Sequence, residues 1–479
     1  MKKAVYIFGV VFALLVCVCF IRFFIDNSLS GYEFKENVSL PSNTALERFS
    51  GGLKIKTVSN PEYSKTDFSK FSDFISYLQK TYPEIFNKCD FQLINNYAIV
   101  LKLKGQNSAN PNLMTAHYDV VGVKNENDWS YKPFSGFYDN EYIYSRGTID
   151  DKGSVFAILE ALNELIISGF VPQNDLYIAF SHCEETGSIE GAPKVIEYFK
   201  KNNIKFNTAL DEGGRIAKKN SNYFAFVGTK EKGRLLTKIT VYGKGSHAST
   251  PYQNSAVKKL AKLIFAFEKN QENARILPEI KKYYKTTYKS YSTIDKFLIS
   301  NMDILKPLFI YKMSKNNEEN ARLASTAAIT IIEASNVQNA VSNEASMLVD
   351  IRILPDKSTD DIKKYVNKII KQTLLDKDIK VEYLSIMEPC VSKNANDDEF
   401  QKLAQIIRKI YPNIPVSPYL TLGATDAREY SEISDNTYRF LPCILKPEEY
   451  ALMHSDNEKI SIKNWGRMID FYKEYILNK

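Results

Sequence analysis

LYIAFSHCEETG, residues 176–187, decides the architecture of this chain. Its opening run, 176–180, is short and nearly all apolar, the signature of a strand buried on both faces of a sheet. Such strands belong to α/β folds in which helices cover a largely parallel sheet. The run ends on His182, Cys183, Glu184 and Glu185. Two adjacent carboxylates at the end of so apolar a strand repel one another when buried, unless cations lie between or near them. The loop therefore reads as functional, with one glutamate free to ligate a cation and the other to act as a general base.

Outward from this strand, 96–103 and 111–116 read as further strands, and 155–167 has helical periodicity after a glycine-containing turn. These elements make a first α/β body over 51–233. A second unit is expected over 234–386: strand 235–242, helix 255–267, strands 327–333 and 345–353, helix 359–375 and strand 379–385. That order is the ferredoxin-like pattern. Residues 270–325, rich in Lys, Tyr and Asn, interrupt it as a helical insertion. Residues 387–479 return with a helix, a strand and motif loops, and complete the first body. A length of 479 residues agrees with two domains.

Composition narrows the class. Hydrophobic content of 44% with 25% charged residues excludes wholesale disorder. The net charge of +7 reads as spread along the chain with no basic stripe, which argues against nucleic acid as a partner. None of the six cysteines has CxxC spacing, so neither a zinc ribbon nor a dense disulfide framework is indicated. Residues 4–21 (AVYIFGVVFALLVCVCFI) carry no charge and lie between Lys2–Lys3 and Arg22. At roughly 1.5 Å per residue they just cross a bilayer core. We read 1–26 as a transmembrane signal anchor and 27–50 as a polar stalk, with the folded body outside the cytoplasm. The alternative, a cleaved secretion signal, fits less well, because the run is long and no A-x-A site follows.

Four clusters join the Glu pair. In TAHYD (115–119), His117 follows a strand and Asp119 can orient its ring. SRGTIDDKG (145–153) sets two carboxylates at a strand-to-helix turn, where one can bridge two cations. ALDEGG (209–214) is a second acidic strand end, and His454 sits in a polar loop. Each is weak alone, since a solvated turn or a structural histidine explains it equally well. Together they supply two histidines and at least three carboxylates, a mixed N/O set suited to zinc or cobalt. Two such ions about 3.5–4 Å apart can share a hydroxide and polarise a carbonyl. Cys183 has no base paired with it in sequence, and the metal reading accounts for its surroundings without a thiolate nucleophile.

RGTIDDKGS (146–154), EETGSIEGA (184–192), LDEGG (210–214), GKGSHASTP (243–251) and LGATDAREY (422–430) follow in order behind the apolar N-terminus. Through them the chain resembles the M20 family of metallopeptidases, in particular its carboxypeptidase S-like and N-acyl amino acid hydrolase branch. The resemblance implies an α/β metallopeptidase domain carrying an inserted ferredoxin-like α+β lid domain. It implies two divalent ions, zinc first, with cobalt or manganese as alternatives. The implied ligands are His117, Asp150 as the bridge with a cis peptide to Asp151, Glu185, Asp211 and His454. Glu212 stands as the alternative to Asp211. Glu184 becomes the general base and Asp119 the residue that holds His117. His247 becomes the lid histidine that meets the substrate carbonyl, reaching across from a partner subunit in dimeric members, so a homodimer is an expectation here. Asn339 sits in NVQNAVSNEAS (336–346), where the commoner family pattern is Asn-Val-Ile-Pro, and is a substrate contact by position. Arg428 is the implied partner of a substrate carboxylate. The implied reaction is hydrolysis of the amide bond in small peptides or N-acyl amino acids bearing a free carboxylate. Two alternatives are the same site run as an N-acyl amino acid synthase and a catalytically silent binding protein. The silent protein should lack a ligand or the base, and none is missing.

Overall fold

A strand apolar on both faces needs neighbours on both edges and cover on both sides, and residues 174–181 have them. The computed structural model describes residues 2–28, 40–187, 189–220, 222–374, 378–391 and 397–479. Among these, a nine-stranded sheet forms the main body. Strand Asn107–His117 lies between Asn174–Ser181 and Phe206–Lys219, parallel to both, and Ser434–Leu445 adds a further parallel strand. The antiparallel pair Asp90–Ile94 and Ala98–Leu103 closes one edge. Asn222–Glu231, with Val416–Thr421 beside it, closes the other. Because the central strands run the same way, their carboxyl ends open on one rim, the place where open α/β sheets bind ligands.

Helix Lys152–Ile167 is buried along nearly its whole length, which its apolar sequence requires. It packs against the C-terminal helix Ile462–Leu477, where the Trp465 indole donates to the Gly153 carbonyl at 3.1 Å. The sequence reading is corrected at the stalk. Ser42 caps a helix, Asn43–Leu53, whose Leu46, Phe49 and Leu53 enter the main core. Phe49 stacks on Trp465 with ring centroids 4.6 Å apart. Burying one such ring contributes about 1.5–3 kcal/mol, so this segment is part of the body and not a tether. Asn43, Thr44 and Glu47 face outward, Ser50 is buried and donates to the Gly136 carbonyl, and Arg48 pairs with the buried Glu160. The rest of the expected stalk, 29–39, lies outside the described residues.

The second unit holds a four-stranded antiparallel sheet in the order Thr326–Glu333, Glu344–Ile353, Gly233–Tyr242, Ile379–Met387. Helices Ala256–Lys269 and Thr359–Thr373 share its core. The insertion does not belong to that core. Its helices Pro278–Thr286, Thr293–Ser300, Lys306–Met313 and Asn317–Leu323 bury Tyr283, Tyr284, Leu298 and Phe309 against Phe224, Phe226 and Leu420 of the main sheet. An insertion read as an interruption of the second unit is thus a wall of the first.

The N-terminal segment is one helix, Lys2–Ser28. Its stretch Tyr6–Asn27 has a mean hydropathy of 2.7 and is long and apolar enough to cross a membrane. Its far end touches the insertion, where Phe20 and Phe23 meet Phe297 at 5.3 and 5.9 Å.

Candidate metal centre

The acidic clusters meet at the carboxyl rim of the main sheet. His117 ends its strand, and its Nδ1 lies 3.0 Å from the Asp119 carbonyl oxygen and 3.4 Å from Asp119 Oδ1. That leaves Nε2 facing the rim, 2.9 Å from Asp150 Oδ1 and 3.6 Å from Glu212 Oε1. The other oxygen of Asp150, Oδ2, lies 2.9 Å from His454 Nε2, which is also 3.1 Å from Glu185 Oε2. One carboxylate therefore lies between two imidazoles. The ligand-type atoms of His117, Asp150 and Glu185 fall within 4.8 Å of one another, as do those of His117, Glu184 and Glu212.

Local structure explains this convergence. Asp150 is joined to Asp151 by a cis peptide, and both sit where the chain turns into helix Lys152–Ile167. The turn is held from the far end of the sequence by the buried Glu458. Its carboxylate accepts from the Ile149 and Gly147 amides at 2.8 and 3.1 Å and from Arg146 Nη1 at 2.6 Å. Glu458 thereby ties the Asp150 turn to the loop that carries His454. Asp119 does the same for the glutamates, since its carboxylate accepts from the Glu184 and Glu185 amides at 3.1 and 3.3 Å. Ser59 donates to it as well, at 2.6 Å. Neither Glu458 nor Ser59 belongs to a motif. The one available signal was an acid four residues after His454.

Asp211 is corrected in position. Its carboxylate faces away from the cluster and accepts from Thr115 Oγ1 at 2.7 Å. Glu212 faces the cluster instead. The register explains the switch: Asp211 pairs with Arg439 and Arg215 with Leu441, so a bulge lies between them on the 206–219 strand. Bulges re-aim side chains in this way. The two glycines make it possible. Gly213 has φ +111°, and a Cβ on Gly214 would lie 2.3 Å from the carbonyl oxygens of Phe226 and Arg439.

Arg428 is likewise not in the cleft. Its guanidinium faces the buried Glu231 at 3.9 Å, behind Thr425, which donates to the same carboxylate at 2.7 Å. In the same motif, Asp426 accepts from Ser181 Oγ, which ties the loop to the central strand. The arginine that does line the cleft is Arg215, stacked on the Tyr450 ring at 3.5 Å. His247 and Asn339 are brought to each other and not to the centre. The ribbon Ser246–His247 pairs with Ala340–Val341, and Ala248 N donates to the Asn339 carbonyl at 2.9 Å. Both residues are exposed, and neither lines the cleft. His182 is buried among Phe68, Phe71 and Tyr97, and burial pushes its pKa down to about 4. It is a neutral core residue. Cys183 is buried with its pKa pushed up, mainly by burial, which leaves no thiolate for nucleophilic attack.

Electrostatics supply the test of fit for cations. Burial drives Glu184 well above the usual carboxylate range, and burial with the Asp150 charge pushes Glu212 up to about 8. Burial also opposes the charge on Asp150, yet hydrogen bonds from His117 and His454 hold its pKa low. Hydrogen bonds to Asp150 and Glu185 in turn push His454 up to about 10. Four carboxylates thus compete for the positive charge of two imidazoles, and one buried oxygen, Glu185 Oε1, has no hydrogen-bond partner. Such a donor set fits divalent cations.

Fold and centre together define an amide-bond hydrolase. The chain belongs to peptidase family M20/M25/M40, whose family model matches residues 113–478. Among curated relatives, it is 34% identical to "Probable carboxypeptidase S-like 2" of Dictyostelium discoideum, over 90% of this chain and 84% of that one. It is 28% identical to "N-fatty-acyl-amino acid synthase/hydrolase PM20D1.1" of Danio rerio, over 100% of this chain and 96% of that one. Among solved structures, the M20 family metallo-carboxypeptidase Sso-CP2 from Sulfolobus solfataricus superposes with a TM-score of 0.66 at 20% identity. The match covers 91% of this chain and 99% of that one, and shows the shared fold.

Proposed function

We propose that the chain hydrolyses the amide of small substrates that carry a free carboxylate, with N-acyl amino acids as the leading class and C-terminal residues of peptides as the second. The observation that carries the reading is the Asp150 carboxylate between His117 and His454, with Glu184 beside it. His117, Asp150, Glu185, Glu212 and His454 would hold two divalent cations, and the mixed N/O set favours zinc. A cation pair bound there supplies Lewis acidity to a carbonyl oxygen and lowers the pKa of water.

The protein's own residues do the rest. Glu184 takes the proton of the attacking water and passes it to the departing amine nitrogen. Its burial favours the protonated form, which makes it an effective donor in the second half of that transfer. Asp119 keeps His117 and the Glu184–Glu185 loop in register, and Glu458 does so for Asp150. Arg215, already oriented by Tyr450, receives the substrate carboxylate in place of Arg428. Leu422, Leu441 and Met453 give the cleft of about 440 Å³ an apolar wall suited to an acyl chain. His247 and Asn339, side by side outside the cleft, would reach a substrate through closure of the second unit or from a partner subunit. The apolar N-terminal helix acts as a signal anchor that keeps this body at a membrane.

A turnover panel tests the substrate class. N-acyl amino acids should be cleaved at least about tenfold faster, in kcat/KM, than the same compounds with the carboxylate capped as a carboxamide. Arg215→Gln should erase that preference mainly through KM. Equal turnover of acid and carboxamide, or no turnover on the panel, would overturn the substrate assignment.

A further inference from the structure

The insertion carries one of the basic stretches of this chain. Between residues 281 and 315 there are eight lysines against two aspartates, a local +6, and with its flanks the insertion 270–325 carries ten basic against six acidic residues, +4. The same segment exposes large apolar side chains, with Ile294 70%, Leu308 53% and Tyr311 63% accessible. And it is where the N-terminal helix docks. Lys285 pairs with Asp26 at 2.5 Å, Lys289 donates to the Asn27 carbonyl at 2.8 Å, and Asn301 donates to the Cys19 carbonyl at 3.0 Å.

A length argument turns this docking into a position. About twenty helical residues cross the hydrocarbon of a bilayer. Counted from Lys3, they end near Arg22. The docked stretch begins at Cys19, so it overlaps the outer end of the span. Whatever packs on it lies at the membrane interface. The docking is also directional. Asn301 meets the helix at its deeper end, and Lys285 and Lys289 meet it at the shallower end. Helix Lys306–Met313 begins five residues past Asn301, and on it Leu308 and Tyr311, one turn apart, stand exposed among Lys306, Lys312 and Lys315. Apolar side chains flanked by lysines are the composition of a surface that sits in a headgroup layer.

We propose that the insertion is a membrane-seating element. Its helices Thr293–Ser300 and Lys306–Met313 rest in the outer interface of the bilayer crossed by Lys2–Ser28, and its lysines face anionic headgroups. This rests on the anchor reading above. It also gives the insertion a role at the cleft. The following helix, Asn317–Leu323, places Glu318 in the cleft wall, so the element that seats the body on lipid also borders the entrance for an amphiphilic substrate.

Depth-dependent quenching of the full-length chain in phosphatidylcholine–phosphatidylglycerol vesicles tests it. Cys17→Ser removes the one exposed thiol, and the other five cysteines are buried. Single cysteines at Val11, Leu308 or Ile386 then carry an environment-sensitive fluorophore, Ile386 being an exposed site on the second unit. Lipids bearing a quencher high on the acyl chain should dim Leu308 about twofold and leave Ile386 unchanged, and a deep quencher should dim Val11. Leu308 as bright as Ile386, with Val11 quenched, would overturn the seating and spare the anchor. Val11 unquenched would overturn the anchor and the seating with it. A Tyr311 probe repeats the measurement if the Leu308 variant melts early, and the same outcomes decide it.

Discussion

At the end of a parallel strand, one residue of register decides whether a carboxylate reaches the rim or the core behind it. Asp211 and Glu212 are that case. Asp211 Oδ1 accepts from Thr115 and its buried Oδ2 has no hydrogen-bond partner, while Glu212 faces His117. Glu212→Ala should therefore lower the number of cations bound per chain, measured by elemental analysis, with little change in folding. Asp211→Ala should leave cation content nearly intact and change stability by about 1 kcal/mol, because Thr115 loses its shorter bond but keeps the Leu210 carbonyl as an acceptor at 3.2 Å. The reverse pattern would restore Asp211 as the ligand. The motif made the acidic pair legible, but not which acid points in. That choice is made by a bulge whose register is set by the distant strand Ser434–Leu445. Arg428 failed for the same kind of reason. A guanidinium in a motif loop looks available in one dimension, and only the fold brings the buried Glu231 beside it.

Elements with strong period or uniform apolarity were readable: the buried strand at 174–181, the helix at 152–167, and the strands and helices of the second unit. Elements held by partners far along the chain were not. Helix Asn43–Leu53 has too few apolar residues to announce itself, and its place in the core comes from Phe156 and Trp465, more than a hundred residues away. The insertion's attachment was equally hidden. Part of it runs through Lys232, whose Nζ donates to the carbonyls of Ala321 and Ala324 at 2.9 and 2.8 Å. Burial lowers this lysine's pKa from 10.5 to about 7. Between those values the unfolded chain binds the extra proton, so this group makes stability rise with pH across that window and costs stability as pH falls toward 7. Urea unfolding from about pH 7.5 to 9.5 should show a slope up to roughly 1.4 kcal/mol per unit from this site. Lys232→Met should flatten it. An unchanged slope in that variant would mean the lysine is solvated and the wall looser than described.

For the molecule as a whole, the α/β class and the gathering of the acidic motifs on one rim were legible, because α/β sheets gather function at the carboxyl ends of their strands. The side on which the insertion packs was not, since a segment's place in the chain does not say which core it completes. The central claim joins all scales: five residues hold two cations, and Glu184 moves the proton. The direct measurement is cation content and hydrolysis rate on the same preparations, for the wild type and Glu184→Gln, after chelator treatment and stepwise return of zinc. The account predicts that wild-type activity returns as bound zinc approaches two per chain, while Glu184→Gln binds the same zinc and loses about 10²–10⁴-fold in kcat. Full activity in Glu184→Gln, or in the metal-free wild type, would contradict it.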